Sequence, residues 1–509
     1  MAAKESSQKK VRSFLSPIYT HAVVALICLM AESCFGASYY VSTFGNDGAA
    51  GSKAAPFHTS TKAFATGTAG DWFWFEDGVY NYCNISNPPS GSTGTPTVVK
   101  AVNDGMAIID GNNARSGILI GGGSSTRAYI TVEGFYVKNT SNNVPVEVTS
   151  PDDQEENDQT RFITMRRIGV VGSSSNASSV MVIARVRDSL FEDISTCGYG
   201  RYTFQTYGSN RLTCRRIYSR WDGIGSRAAI PTDPKFAMSV YDVWNSTFEN
   251  FIILDSSPTL LTGDKGGLYL PGNFNDSTSR LRDSSYNSFY GAVILHSKNG
   301  NGIVSEAGTG NGVNRHNLFR DIVVQASSGT GISINKQSSH TILMNCTVSS
   351  SATSGIWSNS GQSVVFSSAI NCFISSSAGN GVNGNWKSYY CNVFGNGTNY
   401  NGSSADATSI SSATAMLYIT TTPVAGPGAG KGEGGGDIGA DVTKRYFNGV
   451  KSSEAWFPIY NQDRLKREMC EFTDYGWCAS TQTLDGYVNG WLGHGTFTTP
   501  RPEAVARGQ

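Results

Sequence analysis

Charge is what this chain has least of. Only 15% of its 509 residues are Asp, Glu, Lys or Arg, and 39 cations offset 39 anions to a formal net charge of zero. No basic run is long enough to neutralise a series of phosphates, which argues against a nucleic-acid partner. An acidic tail is missing as well, and so few charges exclude a charge-rich disordered chain. Helical periodicity is also absent. No run of ten or more residues shows a spacing of about 3.6, so helical repeats are excluded. There is no CxxC and no Cys/His spacing suited to zinc.

Only one apolar run is long. Residues 22–31 (AVVALICLMA) follow Lys4, Lys9, Lys10 and Arg12, and they are too few to span a bilayer. A basic stretch, a short apolar core and small residues near Gly36 read as a secretory signal, residues 1–36. The mature chain is then exported, with no membrane partner after cleavage. In an oxidising compartment Cys470 and Cys478 could close a small loop.

Glycine and repetition are what the chain has in plenty. There are 58 glycines. Ten short segments share one pattern: an apolar or small residue, two polar ones, then an apolar or small one. Clear copies begin at Val132, Met165, Phe191, Cys214, Phe248, Phe289 and Phe319. Weaker copies begin at Leu343, Ala369 and Ser388. Steps of 19 to 41 residues mean a solenoid with variable insertions. Short β-branched runs such as Ile322-Val323-Val324, set between Gly/Ser/Asn clusters, make each period β-rich. Asn345-Cys346-Thr347-Val348-Ser349-Ser350-Ser351-Ala352 matches Asn371-Cys372-Phe373-Ile374-Ser375-Ser376-Ser377-Ala378, so like residues sit one turn apart. A parallel β-helix of about ten coils, stacked at about 4.8 Å into a rod on the order of 45 Å, is expected.

The middle positions of the repeat alternate in sign down the stack. One reads Glu133, Arg166, Glu192, Arg215, Glu249, and the next Gly134, Arg167, Asp193, Arg216, Asn250. Stacked like charges would repel, so these residues are read as a salt-bridged ladder rather than a catalytic cluster. Asn345 and Asn371 continue it as an asparagine ladder at a turn. Cys346, Cys372 and Cys391 share one repeat position, either as stacked thiols or as a disulfide between coils. Residues 152–158 (DDQEEND) read as a solvated loop, with calcium binding the alternative.

The opening Ser38-Tyr39-Tyr40-Val41-Ser42-Thr43-Phe44-Gly45-Asn46-Asp47-Gly48, then Pro56-Phe57 and Lys62-Ala63-Phe64, resembles that of secreted right-handed parallel β-helix proteins of the pectate-lyase-like superfamily. The resemblance covers about 37–400 and identifies architecture better than activity. It implies an all-β right-handed parallel β-helix (101–401) behind an N-terminal cap with the first coils (37–100). Residues 402–440 read as a Gly/Ser-rich linker or loose last coil. Residues 441–509 read as a small tail with a short helix, and similar tails occur in uncharacterised secreted bacterial β-helix proteins.

A solenoid gathers insertions on one face, and the longest steps lie between Cys214 and Phe289. There Arg201-Tyr202-Thr203-Phe204-Gln205-Thr206-Tyr207 aligns without gaps on Lys235-Phe236-Ala237-Met238-Ser239-Val240-Tyr241. Alternation turns Tyr202/Phe236 and Phe204/Met238 inward, and Arg201/Lys235, Gln205/Ser239 and Tyr207/Tyr241 outward. Arg220, Trp221 and Asp222 flank the same place. Cations with aromatic platforms suit an acidic polysaccharide. By resemblance to β-helix polysaccharide lyases, Lys235 would be the base and Arg201 and Arg220 the carboxylate partners. Tyr207, Tyr241, Trp221 and Asp222 would bind the sugars, with Ca2+ a further option. No lyase active-site motif or calcium-ligand set is recognisable. Hydrolysis would need paired carboxylates; Asp222, Asp242, Asp264 and Glu306 are available, but no spacing selects a pair. A non-catalytic glycan-binding or structural surface protein is the main rival to a lyase, and a tailspike-like adhesin a lesser one. Oligomeric state is not legible.

Overall fold

The computed structural model describes residues 36–455, except 113, 115, 124, 141–143, 152–158, 173–178, 198–200, 221–235, 255–264, 273–282, 296–299, 308–313, 326, 336–337, 360–366, 412–428 and 443. The signal segment, the acidic loop 152–158, Cys470, Cys478 and the helix expected near 462–471 lie outside the described residues.

The anchors of the ten repeats stack in register. Val132, Met165, Phe191, Cys214, Phe248, Phe289, Phe319, Leu343, Ala369 and Ser388 are successive partners in parallel pairing. Phe248, Phe289 and Phe319 stack almost parallel at 4.9 and 4.7 Å, wholly buried. Phe191 continues the buried column beyond Cys214. Rods of this kind are right-handed, the sense that parallel crossovers take.

Each repeat is a corner. Its third residue lies in the left-handed region in all ten copies: Gly134, Arg167, Asp193, Arg216, Asn250, Gly291, Asp321, Asn345, Asn371 and Tyr390. One such residue bends a strand without ending it, so Thr160–Val171, Val186–Cys197 and Asn210–Arg220 each run through two walls of the rod. These two walls form the 20-stranded sheet. The third wall is a separate sheet of twelve strands, from Ile85–Ser86 to Thr398–Asn401, one per coil. Two coils therefore precede the first repeat. Their corners are longer: 76–77 separate Trp72–Phe75 from Gly78–Tyr80, and 102–106 separate Thr97–Ala101 from Ala107–Asp110. Without a one-residue corner the motif cannot form, which is why it is missing there.

At the N-terminal end the helix Ser60–Thr66 lies against the strands Ser38–Val41 and Ile85–Ser86. Thr59 caps it by accepting from Lys62 N, and Asp47 holds Thr59 through both carboxylate oxygens.

The charge ladder forms. Glu192 accepts from Arg215 (2.7 Å) and Arg216 (3.1 Å) and lies 3.6 Å from Arg166. Arg216 holds Asp193 through two nitrogens, at 2.5 and 3.0 Å. Arg167 bridges Asp104 and Glu133. The expected Arg215–Glu249 pair does not form. Glu249 instead accepts the N–H of Gly449 at 2.5 Å, and the Arg215 guanidinium covers Phe447 at 4.5 Å. Asn371 donates to Asn345 at 3.2 Å, so the asparagine ladder is present. Cys346, Cys372 and Cys391 are free, buried thiols that donate to carbonyls two residues back.

Residues 429–455 run back along these corners as a strap. Glu433 N donates to Asn371 Oδ1, Ala440 N to Thr347 Oγ1, Asp441 N to Asp321 Oδ1 and Tyr446 N to Asn250 Oδ1, at 2.6–3.0 Å. Ile438 packs on Phe373. A Cβ on Gly432 would stand 3.0 Å from Asn371 Oδ1, so the glycine lets the strap come close. The strap ends in a hairpin, Lys444–Phe447 with Val450–Ala455.

Candidate functional site

In chain order, the strands Phe236–Tyr241 and Lys265–Gly272 of the third wall follow residues 221–235 and 255–264, and residues 273–282 come after the second of them, all three segments outside the described residues. The residues that alternation turns outward form two rows, in which several, such as Ser239, Val304 and Ser333, are nonetheless buried. Glu147, Val182, Gln205, Ser239, Tyr269, Val304, Ser333, Trp357, Asn383 and Asn401 are successive partners in one. Thr149, Ala184, Tyr207 and Tyr241 begin the other, and Pro271, Glu306 and Asn335 continue it.

The pairing of Tyr202 with Phe236, Phe204 with Met238, Gln205 with Ser239 and Tyr207 with Tyr241 is the one the gap-free alignment requires. Tyr207 and Tyr241 are half-buried, with ring centres 5.0 Å apart. Arg185 places its guanidinium 5.9 Å from the Tyr207 ring. One strand on, Tyr269 stacks on Phe236 at 4.4 Å and donates its hydroxyl to Glu306 at 2.7 Å. Burial and the Glu306 charge raise the Tyr269 phenol well above its ordinary value, so it stays a neutral donor. Glu147 is half-buried at the other end; burial raises its carboxyl and Arg185 offsets part of that shift.

Strict alternation fails at one edge of this wall. Tyr202 and Phe236 are buried as expected, but so are Thr203 and Ala237, which alternation turns outward. The Thr203 hydroxyl bonds to that of Ser219 and donates to Ala237 O, drawing this edge into the rod. Ser239, also expected outward, is fully covered.

Arg201 is exposed, with its guanidinium 5.7 Å from the Tyr202 ring centre. Arg220 ends its strand, with its backbone paired to Cys197 and Leu254. Trp221, Asp222, Lys235 and Asp264 lie outside the described residues, and Asp242 is buried at the turn after Tyr241. The sequence reading missed Arg185, Tyr269 and Trp357. Tyr269 had a signal, because Gly267-Leu268-Tyr269 continues the alternation of Ala237-Met238-Ser239. Among the described residues no group of three or more His, Cys, Asp and Glu could hold a metal. No helix there is long and apolar enough to cross a membrane.

No family model matches the sequence, and no curated protein matches it. Solved structures with a similar course of chain include XylC in complex with xylose (10% identity, TM-score 0.46, 66% of this chain and 75% of that one). Another is the A-module of an Azotobacter vinelandii mannuronan C-5 epimerase (11%, 0.41, 70% and 91%). A third is the pectate lyase Pel9A (12%, 0.37, 80% and 96%). At such identities none of these likenesses bears on chemistry.

Proposed function

We propose that this protein is exported and acts on an acidic polysaccharide along the outside of the third wall, as a lyase eliminating at a uronate. One observation carries the reading: Tyr207 and Tyr241 lie on adjacent strands with ring centres 5.0 Å apart, the Arg185 guanidinium stands 5.9 Å from the Tyr207 ring, and the Tyr269–Glu306 pair adjoins them. Aromatic surfaces suit sugar rings, and guanidinium suits a carboxylate. Trp357, Asn383 and Asn401 extend the same floor with an indole and amides. Lys235 is the proposed base, with Arg201 and Arg220 as carboxylate partners and Trp221 and Asp222 beside them. A cation next to Lys235 would lower its pKa toward that of a working base.

A screen of uronate polysaccharides, with and without Ca2+, for the ultraviolet absorbance of unsaturated products tests this. Turnover of at least one is expected. Tyr241→Ala should weaken binding of that glycan about tenfold, as loss of one aromatic contact worth about 1.5 kcal/mol would. Binding without turnover on any uronate polymer would sink the lyase and leave a glycan-binding surface protein.

A further inference from the structure

A second corner of the rod bears no part of the proposed glycan face. It lies where the chain enters the first wall, and its residues are again left-handed: Tyr129, Phe162, Asp188, Arg211, Asn245, Tyr286, His316 and His340. The last three stack as rings. Tyr286 lies 4.9 Å from His316, and His316 lies 4.7 Å from His340, tilted by 32°. Tyr286 is 52% exposed, His316 is exposed and His340 is half-buried. The two histidines occupy the same corner one coil apart, since Arg315 pairs with Ser339 and His316 N donates to Ser339 O.

We propose that His316 and His340 together bind a late first-row divalent cation, Cu2+ or Zn2+. Imidazole is the side chain that suits these ions. Metal–nitrogen bonds of about 2.0–2.1 Å, at angles between a right angle and tetrahedral, set two ring centres about 5 Å apart. The observed 4.7 Å matches that separation, and rotation of the rings out of their present 32° tilt would turn a nitrogen of each toward one ion. Ser339 Oγ lies 3.1 Å from His340 Nδ1, so Nε2 is the nitrogen that would ligate. A hydrogen bond on the far nitrogen is the usual support for a metal-bound histidine. Stacked Tyr286 holds the other face of His316. Arg315 opposes the cation by its charge, and two ligands leave open positions, so the site is of moderate affinity.

The experiment is titration of Cu2+ into chelator-stripped full-length protein, with His316→Asn and His340→Asn alongside. Asparagine tolerates the left-handed backbone, so both variants should melt like wild type without metal. Calorimetry should show each variant losing the same Cu2+ site, weakened by about tenfold or more. Wild-type Cu2+ paramagnetic resonance should show nitrogen coupling that both variants lose. Wild-type affinity retained by either variant, or loss in only one, overturns the paired site. Both readouts are independent of glycan turnover.

Discussion

Arg216→Ala should cost about 3–5 kcal/mol of stability, the usual penalty for removing one partner of a buried ion pair. The Arg216 side chain is 2% exposed and holds both Asp193 and Glu192. Alanine there would leave Asp193, itself 5% exposed, without any cation among the described residues. It would also place a Cβ-bearing residue in the left-handed region without the bidentate bond that holds the arginine there. Arg215→Ala should cost less, because Glu192 keeps Arg216. Arg215→Glu sets a third carboxylate between Glu192 and Glu249, which are its register partners, and should fall between the two. Urea unfolding of the three variants measures the order. An Arg216→Ala midpoint within error of wild type would show the ladder to be decorative.

The same ladder sets a pH dependence. Burial pushes the Glu192 carboxyl up, but the hydrogen bond from Arg215 and the charges of Arg215, Arg216 and Arg166 outweigh it, and the net shift is downward. A carboxyl depressed in the folded state contributes stability above its unfolded pKa of about 4.3 and loses it as pH falls through the folded value. Acid below about pH 4 should therefore loosen these coils, and Arg216→Ala should flatten that part of the stability profile.

What the sequence made legible depended on distance along the chain. The anchors and the alternating charges were readable because stacking is a neighbour-to-neighbour relation, and Phe289 or Arg215 carries its own evidence one coil away. The first two coils were not readable, since their corners at 76–77 and 102–106 break the spacing that reveals the others. The Glu249 partner was unreadable for a different reason. Its hydrogen bond comes from Gly449, which nothing near Glu249 in the chain announces. At the candidate site, pairing was legible and facing less so. Gap-free alignment yields Tyr207 opposite Tyr241, but no alternation rule anticipates Thr203 turning to Ser219, or Tyr269 reaching Glu306.

Asp321→Ala should release the strap while leaving the rod folded. Asp321 is fully buried, and three separate parts of the strap converge on its carboxylate. Asp441 N donates to Oδ1 at 3.0 Å, while the Tyr446 hydroxyl and Lys451 Nζ, the latter at 2.8 Å, reach Oδ2. Removing it strands the buried Tyr446 phenol and takes from Lys451 one of its two carboxylates, a loss of about 3 kcal/mol by the measure of broken buried pairs. Lys451 softens the loss, because it keeps Asp441 at 3.3 Å. Among the described residues the strap is also held by hydrogen bonds to Asn371 and Thr347 at one end and Asn250 and Glu249 at the other, by Ile438 on Phe373, by Tyr446 on Tyr290 and by Phe447 under Arg215. Strand pairing in the rod involves none of these side chains, so the coils can persist when the strap leaves. Limited proteolysis reads this directly. The variant should be cut within 429–455 at least tenfold faster than wild type, as even about 1.4 kcal/mol of lost docking energy would produce, while its β-sheet circular dichroism is retained. Cleavage at the wild-type rate would show that the strap is held by its apolar contacts, such as Ile438 on Phe373, rather than by this carboxylate. Loss of the β-sheet signal together with the strap would instead make the strap part of the rod's own cooperative unit.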